Sequence, residues 1–253
     1  MTASTYENER IVNEYLLFHY GSAKEILPYT FGPIEALDFA VRCVTECVDT
    51  DLLPPSARAL DLGCAVGRST FELSRHCAEV VGIDYSKRFI EAAKTLQRDS
   101  EISYDRVDEG ELITPLKAEL PAGTEPGRVS FEQGDAQDLP AELGDFDLVL
   151  MANLIDRLED PLRCLERLPT LVRPGGRMII TSPYTWLPEF TPKENWLGGR
   201  RVSGEPVTTN SALKGFLKEA FVFHGNRDLP FLIREHARKY QWSVADATIW
   251  IRR

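Results

Sequence analysis

Three acidic residues and two glycines carry the strongest chemical signal in this sequence. In RALDLGCAVGRS, a run that reads as a strand ends near Asp61, and Gly63 and Gly67 follow before a helical segment. Glycine lets the backbone turn tightly and lets a ligand approach without a Cβ in the way. Such a loop at the carboxyl end of a first strand is where open α/β sheets bind ligands. Ala65 stands where a middle glycine often lies, with Cys64 beside it. Asp84 closes a second strand in VVGIDYS, next to Tyr85, and a carboxylate there can accept both hydroxyls of a ribose. Asp135 follows a third strand in QGDAQDL. Its carboxylate suits an adenine amine, and the adjacent Ala136 backbone suits the ring.

A dinucleotide would call for G-x-G-x-x-G and no carboxylate beside its pyrophosphate. That pattern is absent, and Asp61 directly precedes the loop. The set fits a nucleoside carrying a cationic tail, as in S-adenosylmethionine. Asp61 would then face that tail's ammonium through water or hold backbone donors.

Further residues qualify by position. Asn153 in MANLIDRLEDP follows the fourth strand and would stand near the methionine part. Asp156 and Arg157 read equally as a structural ion pair or as substrate contacts. Tyr184, Trp186 and Trp196 fall on a Pro/Gly-rich loop after the fifth strand. They suit either satellite packing or the wall of a pocket for a flat substrate.

The elements that must position these residues alternate between strand and helix. Strands are expected at 57–62, 79–84, 128–133, 147–152 and 177–182, with helices between them. Ser86 caps one helix, and Asp160 with Pro161 opens another. This alternation predicts a mainly parallel sheet covered on both faces, in one domain over 1–253. Residues 1–55 read as an N-terminal helical cap, with a second helix starting at Pro33. Residues 100–127 read as a hairpin-like insertion with a Gly-containing turn. Strands at 220–225 and 242–251, with a helix over 231–240 between them, would close the sheet.

The composition agrees. The 253 residues carry a formal charge of −10, which disfavours nucleic acid as a partner. No run approaches the ~20 apolar residues of a membrane span. MTASTYENER lacks the pattern of a secretory signal, so a cytoplasmic location is expected. The five cysteines have no disulfide-like spacing, and no metal site is expected.

With these residues in view, the chain resembles the mercaptohistidine N-methyltransferases of ovothiol biosynthesis. EYLLFHYG, RALDLGCAVGRS, GIDYS, QGDA, NLIDRL, SPYTWLPEFTPKENWLGG and LPFLIREHARKYQWSV carry the resemblance, which spans nearly the whole chain. It implies a Rossmann-like class I methyltransferase fold with strand order 3-2-1-4-5-7-6. The cofactor is S-adenosylmethionine and its product S-adenosylhomocysteine. The acceptor implied is 5-thiohistidine, methylated on its imidazole π nitrogen and supplied by an iron-dependent sulfoxide synthase, separate or fused.

The resemblance assigns Asp61, Gly63, Gly67, Asp84, Asp135 and Asn153 to the cofactor. Cys64, Tyr85 and Ala136 join them by adjacency. Asp156, His19 and Tyr184 are the candidates for orienting the acceptor or taking a proton. Tyr20, Arg157, Trp186, Asn195 and Arg200 are the candidates for holding it. Another small-molecule acceptor, or a module that only binds the cofactor, stays open on the residues alone.

Overall fold

A computed structural model describes residues 7–253; the six residues before them, part of the segment read above for a signal, lie outside it. Seven strands make the central sheet. In chain order they are β1 (Arg58–Leu62), β2 (Glu79–Asp84), β5 (Val129–Gln133), β6 (Phe146–Ala152), β7 (Val172–Ser182), β10 (Phe221–His236) and β11 (Lys239–Arg252). Their spatial order is β10-β11-β7-β6-β1-β2-β5. Numbered among themselves and read from β5, this is 3-2-1-4-5-7-6. The first five are parallel, and β11 is antiparallel to β7 and β10.

Side chains alternate across the strands, so the sheet feeds two cores. Ala59, Leu148, Leu150 and Ile179 enter one core. Leu60, Leu62, Val149, Met151, Met178 and Ile180 enter the other. The first core is covered by α1 (Glu9–Tyr20), the short α2 (Ala23–Ile26), α3 (Phe39–Thr45), α4 (Arg68–Leu73) and α5 (Lys87–Asp99). The second is covered by α6 (Pro161–Arg167) and α7 (Thr209–Leu217). Asp61 points toward the first core, beneath the glycine loop.

The insertion is a hairpin of β3 (Glu101–Glu109) and β4 (Leu112–Glu119), turning at Gly110, whose φ is +57°. It pairs with nothing in the main sheet. A second small hairpin, β8 (Arg200–Val202) with β9 (Glu205–Val207), precedes α7; neither it nor α7 was expected from the sequence. Ser86 caps α5 by accepting Phe89 N–H, and Asp160 caps α6 by accepting Arg163 N–H, as their spacing predicts.

Two expectations fail. The helix from Pro33 is a short 3-10 turn over Ile34–Ala36. It breaks at Asp38, whose left-handed φ of +56° re-aims the chain before α3 begins. The helix over 231–240 does not form. Those residues are the end of a long hairpin, turning at Ala237–Arg238 between the pair His236↔Lys239. REHARK is rich in helix formers, but tertiary partners override that preference. Leu229, Phe231 and Leu232 are buried. Arg42 Nη1 donates to Pro230 O, and Ala237 N–H donates to Asp108 O on the inserted hairpin. The arm of β10 and β11 thus extends past the sheet and reaches over the carboxyl ends of β1 and β6.

Among the described residues no helix is long and apolar enough to cross a membrane.

Candidate active site

The carboxyl ends of β1, β2, β5 and β6 open onto one cavity of about 700 Å³. Its floor begins with the glycine loop. Gly63 and Cys64 donate their N–H groups to Ile83 O, at 2.8 and 3.1 Å, which pins the loop to the end of β2. Gly63 has φ +81° and lines the cavity. Gly67 has φ +83°, and a Cβ there would meet the Phe131 ring at 2.6 Å. Its glycine is therefore required by backbone and packing; it lies behind the cavity wall. Ala65 lines the cavity with φ +48°, a region that side chains other than glycine rarely occupy.

Asp84 sits at the mouth of β2. Its Oδ2 accepts Ala65 N–H and its Oδ1 accepts Ser86 N–H, each at 2.9 Å. Desolvation pushes its pKa up to about 6, opposed by those two donors. Asp135 accepts Gln137 N–H and Nε2 through Oδ1, leaving Oδ2 for a ligand. Ala136, Tyr85 and Asn153 line the same space. Asn153 is held at φ +51° by donating its N–H to Thr181 O at 2.9 Å, while its Oδ1 accepts the Thr181 hydroxyl. The side-chain amide N–H₂ of Asn153 is left for another acceptor.

Asp61 lies under the loop, fully buried. Its Oδ2 accepts the hydroxyls of Ser69 and Thr70, both at 2.7 Å. Its Oδ1 has no partner among the described residues, and burial raises its pKa to about 6. An orphaned carboxylate oxygen beneath the loop matches a site completed by a cationic group or a bridging water.

The roof comes from α1, α3 and the β10–β11 arm. Phe18, Phe39 and Phe231 touch one another, the closest pair being Phe39 and Phe231 with ring centroids 5.0 Å apart. All three line the cavity, as does His19. The His19 ring sits against Tyr15 and Phe18, and its Nδ1 has no partner among the described residues. Burial, with Arg68 nearby, pushes its pKa down to about 3, so it is neutral.

Several expected residues lie elsewhere. Tyr20 donates its hydroxyl to Val66 O at 2.8 Å, tying α1 to the glycine loop from outside the cavity. Asp156 is fully buried behind the wall. It accepts the Ser182 hydroxyl, the Thr185 N–H and Arg157 Nη1. Of its two readings, the structural ion pair is the one realised. Tyr184 donates to Asp246 Oδ2, and Trp186 stacks on Trp196 while donating Nε1–H to Thr209. The rings of Tyr184, Trp186 and Trp196 are thus satellite packing in the second core and none of them lines the cavity, although Phe190 and other residues of the same loop do. Asn195 and Arg200 border a separate groove of about 180 Å³. Only Arg157, of the substrate candidates, faces the main cavity.

Sequence reasoning missed the residues that replace them. Phe18 lay within the quoted EYLLFHYG, and Phe39 in the segment taken as a continuous helix. Phe231 was hidden by the helical reading of its surroundings. Glu159, Glu189 and Phe190 also line the cavity and were not singled out.

Residues 60–180 match the family described as "Methyltransferase domain". The demethylmenaquinone methyltransferase of Lactococcus lactis is 27% identical over 72% of this chain and 55% of its own length. The ubiquinone biosynthesis O-methyltransferase of Xanthomonas axonopodis is 24% identical over 60% of this chain and 53% of its own. The chain thus spans about half the length of these relatives. A Methanosarcina mazei structure described as an S-adenosylmethionine-dependent methyltransferase superposes with a TM-score of 0.53 at 18% identity, covering 79% of this chain and 94% of that one. A Pyrococcus horikoshii protein gives 0.51 at 19% identity, covering 91% and 98%. The carboxylates at the ends of β1, β2 and β5 thus lie inside the segment that matches a methyltransferase domain, on the α/β fold that these two structures share.

Proposed function

We propose that this chain transfers the methyl group of S-adenosylmethionine to the imidazole π nitrogen of 5-thiohistidine, giving ovothiol A. The motif resemblance suggests the acceptor. One structural observation supports it: a single cavity joins the carboxylates of Asp84 and Asp135 to an aromatic chamber and a free guanidinium edge on Arg157. A small flat ring bearing an amino-acid head group suits that sequence of surfaces.

Asp84 would accept the ribose hydroxyls, while Asp135 and the Ala136 N–H would meet adenine. The loop from Gly63 to Ala65, Asn153 and the orphaned oxygen of Asp61 would surround the methionine part. When bound, S-adenosylmethionine supplies a methyl already activated by its sulfonium. What remains for the protein is to hold the acceptor nitrogen in line, and positioning of this kind can supply roughly 7–11 kcal/mol of a barrier.

A neutral imidazole nitrogen attacks through its own lone pair, so no base has to act first. His19 is too weakly basic at about 3 to take a proton at neutral pH. On this reading it orients the acceptor by a hydrogen bond. Phe18, Phe39 and Phe231 exclude water and stack against the ring. The chain would work as one domain, in the cytoplasm, on thiohistidine made by a sulfoxide synthase.

Mass spectrometry of the protein with S-adenosylmethionine and 5-thiohistidine tests the proposal, with histidine and a quinol in parallel. A single methyl gained on ring nitrogen of 5-thiohistidine is expected. Methylation of the quinol alone, or on sulfur alone, would overturn it.

A further inference from the structure

One wall of the cavity is built from two chain segments fastened side by side. The turn over 157–159 and the loop over 189–195 share three contacts. The Arg157 guanidinium lies over the Phe190 ring at 4.9 Å. Thr191 donates its hydroxyl to Leu158 O at 2.6 Å. Asn195 donates Nδ2–H to Glu159 O at 2.9 Å. Arg157, Glu159, Glu189 and Phe190 are thereby brought to one rim, and all four line the cavity.

The charges on this rim are arranged unevenly. Every hydrogen bond of the Arg157 side chain runs through Nη1, to Asp156 O, Asp156 Oδ2 and Thr185 O. Those bonds and the Phe190 ring fix the plane of the guanidinium. Its Nε–Nη2 edge has no partner among the described residues. That edge is the two-pronged donor that fits a carboxylate. The carboxylates of Glu159 and Glu189 are exposed, and neither makes a hydrogen bond or ion pair with the described residues. Unpaired carboxylates beside a fixed guanidinium fork form the complement of a zwitterion.

We propose that this rim is the recognition site for the head group of a free α-amino acid. The acceptor's carboxylate would lie on the Arg157 fork, and its ammonium between Glu159 and Glu189. The inference rests on the methyltransferase reading of the cavity and deepens it. It concerns the class of acceptor: an amino acid with both charges free, distinct from a quinone, a peptide-linked residue or a decarboxylated amine.

The test uses the full chain loaded with S-adenosylhomocysteine and needs no turnover. Ligand-detected NMR would measure binding of 5-thiohistidine, its decarboxylated and deaminated analogues, and the free common amino acids. At least one amino acid is expected to bind, and both truncated analogues at least tenfold more weakly than 5-thiohistidine. Glu189→Gln, at an exposed and unbonded position, should weaken amine-bearing ligands about tenfold and spare the deaminated analogue. Arg157→Gln should do the converse with carboxylates. Affinity for S-adenosylhomocysteine should change less than twofold in both variants.

Equal binding of the truncated analogues, or indifference to Glu189→Gln, would overturn the rim assignment even if 5-thiohistidine is methylated. Binding of a different amino acid, sensitive to Glu189→Gln, would keep the rim and discard 5-thiohistidine as the acceptor. A loss of S-adenosylhomocysteine affinity in Arg157→Gln would reassign that fork to the cofactor's own carboxylate and end the proposal.

Discussion

Asp84 Oδ2 accepts the Ala65 N–H at 2.9 Å, which joins the end of β2 to the most constrained point of the glycine loop. Ser86 N–H holds the other carboxylate oxygen at the same distance. A carboxylate offers about four acceptor sites, so each oxygen keeps capacity for a ligand hydroxyl. The two backbone bonds set the plane of the carboxylate before any ligand arrives.

Asp84→Ala should therefore weaken cofactor binding about a hundredfold or more. Two hydrogen bonds to a charged group contribute roughly 1.5–3 kcal/mol each. Calorimetry with S-adenosylhomocysteine measures this, and circular dichroism should report an unchanged fold. The affinity of the wild-type protein should also fall as pH drops through about 6, where burial places the Asp84 pKa. Equal affinity at pH 5 and pH 7.5 would refute the ribose assignment.

Ala65 carries a left-handed φ of +48° in the cavity lining. Ala65→Gly relieves strain worth on the order of 1 kcal/mol but adds freedom to the unfolded chain, so stability should shift by less than about 1 kcal/mol. Ala65→Val adds a β-branched side chain at the same φ and fills the floor. It should lower the unfolding midpoint and cut cofactor affinity more than tenfold. Thermal unfolding and calorimetry on both variants check this, and a valine variant with native affinity would place the ligand away from the loop.

The glycine-loop half of this cavity was legible because its signals are local. Asp61, Gly63, Asp84 and Asp135 stand at strand ends, and hydrophobic periodicity locates strand ends directly. The roof was not legible, because it is assembled by contacts between distant segments. Phe18, Phe39 and Phe231 come from α1, α3 and β10, and no spacing in the sequence relates them. The β10–β11 arm was misread for the same reason: its strands are held by Arg42 and by the inserted hairpin at Asp108, both remote in sequence. The aromatic loop shows the opposite failure. Tyr184 and Trp186 follow β7 at the correct end of the sheet, yet Asp246 and Thr209 turn both side chains into the second core.

Asp61 should lower the stability of the ligand-free protein. Burial raises its pKa from 3.8 to about 6, so the folded state holds a proton more tightly than the unfolded chain. The stability this contributes is complete below about 3.8 and is lost as pH rises through about 6. Asp61→Asn keeps an acceptor for Ser69 and Thr70 and removes the buried charge. Its melting temperature should exceed wild type by several degrees at pH 8 and by little at pH 4, while cofactor affinity falls. Matching melting curves at pH 8 would show that the Asp61 charge is already compensated.

Asp156 and Tyr184 should behave as structural residues. Asp156→Ala leaves the Ser182 hydroxyl and the Thr185 N–H without their acceptor and removes the carboxylate from Arg157 Nη1, which keeps its bonds to Asp156 O and Thr185 O. Leaving a buried donor unsatisfied costs about 1–3 kcal/mol, and two are left here, so the urea midpoint should drop strongly. Tyr184→Phe removes one bond to Asp246 and should cost about 1 kcal/mol. Because the Tyr184 ring does not line the cavity, kcat/KM should stay within about twofold of wild type. Phe231→Ala makes the contrast: it opens the chamber wall, so the acceptor KM should rise while S-adenosylhomocysteine still binds. If Tyr184→Phe instead abolished turnover with stability and cofactor affinity intact, the phenol would have to reach the acceptor, and the loop around it would have to move to let it.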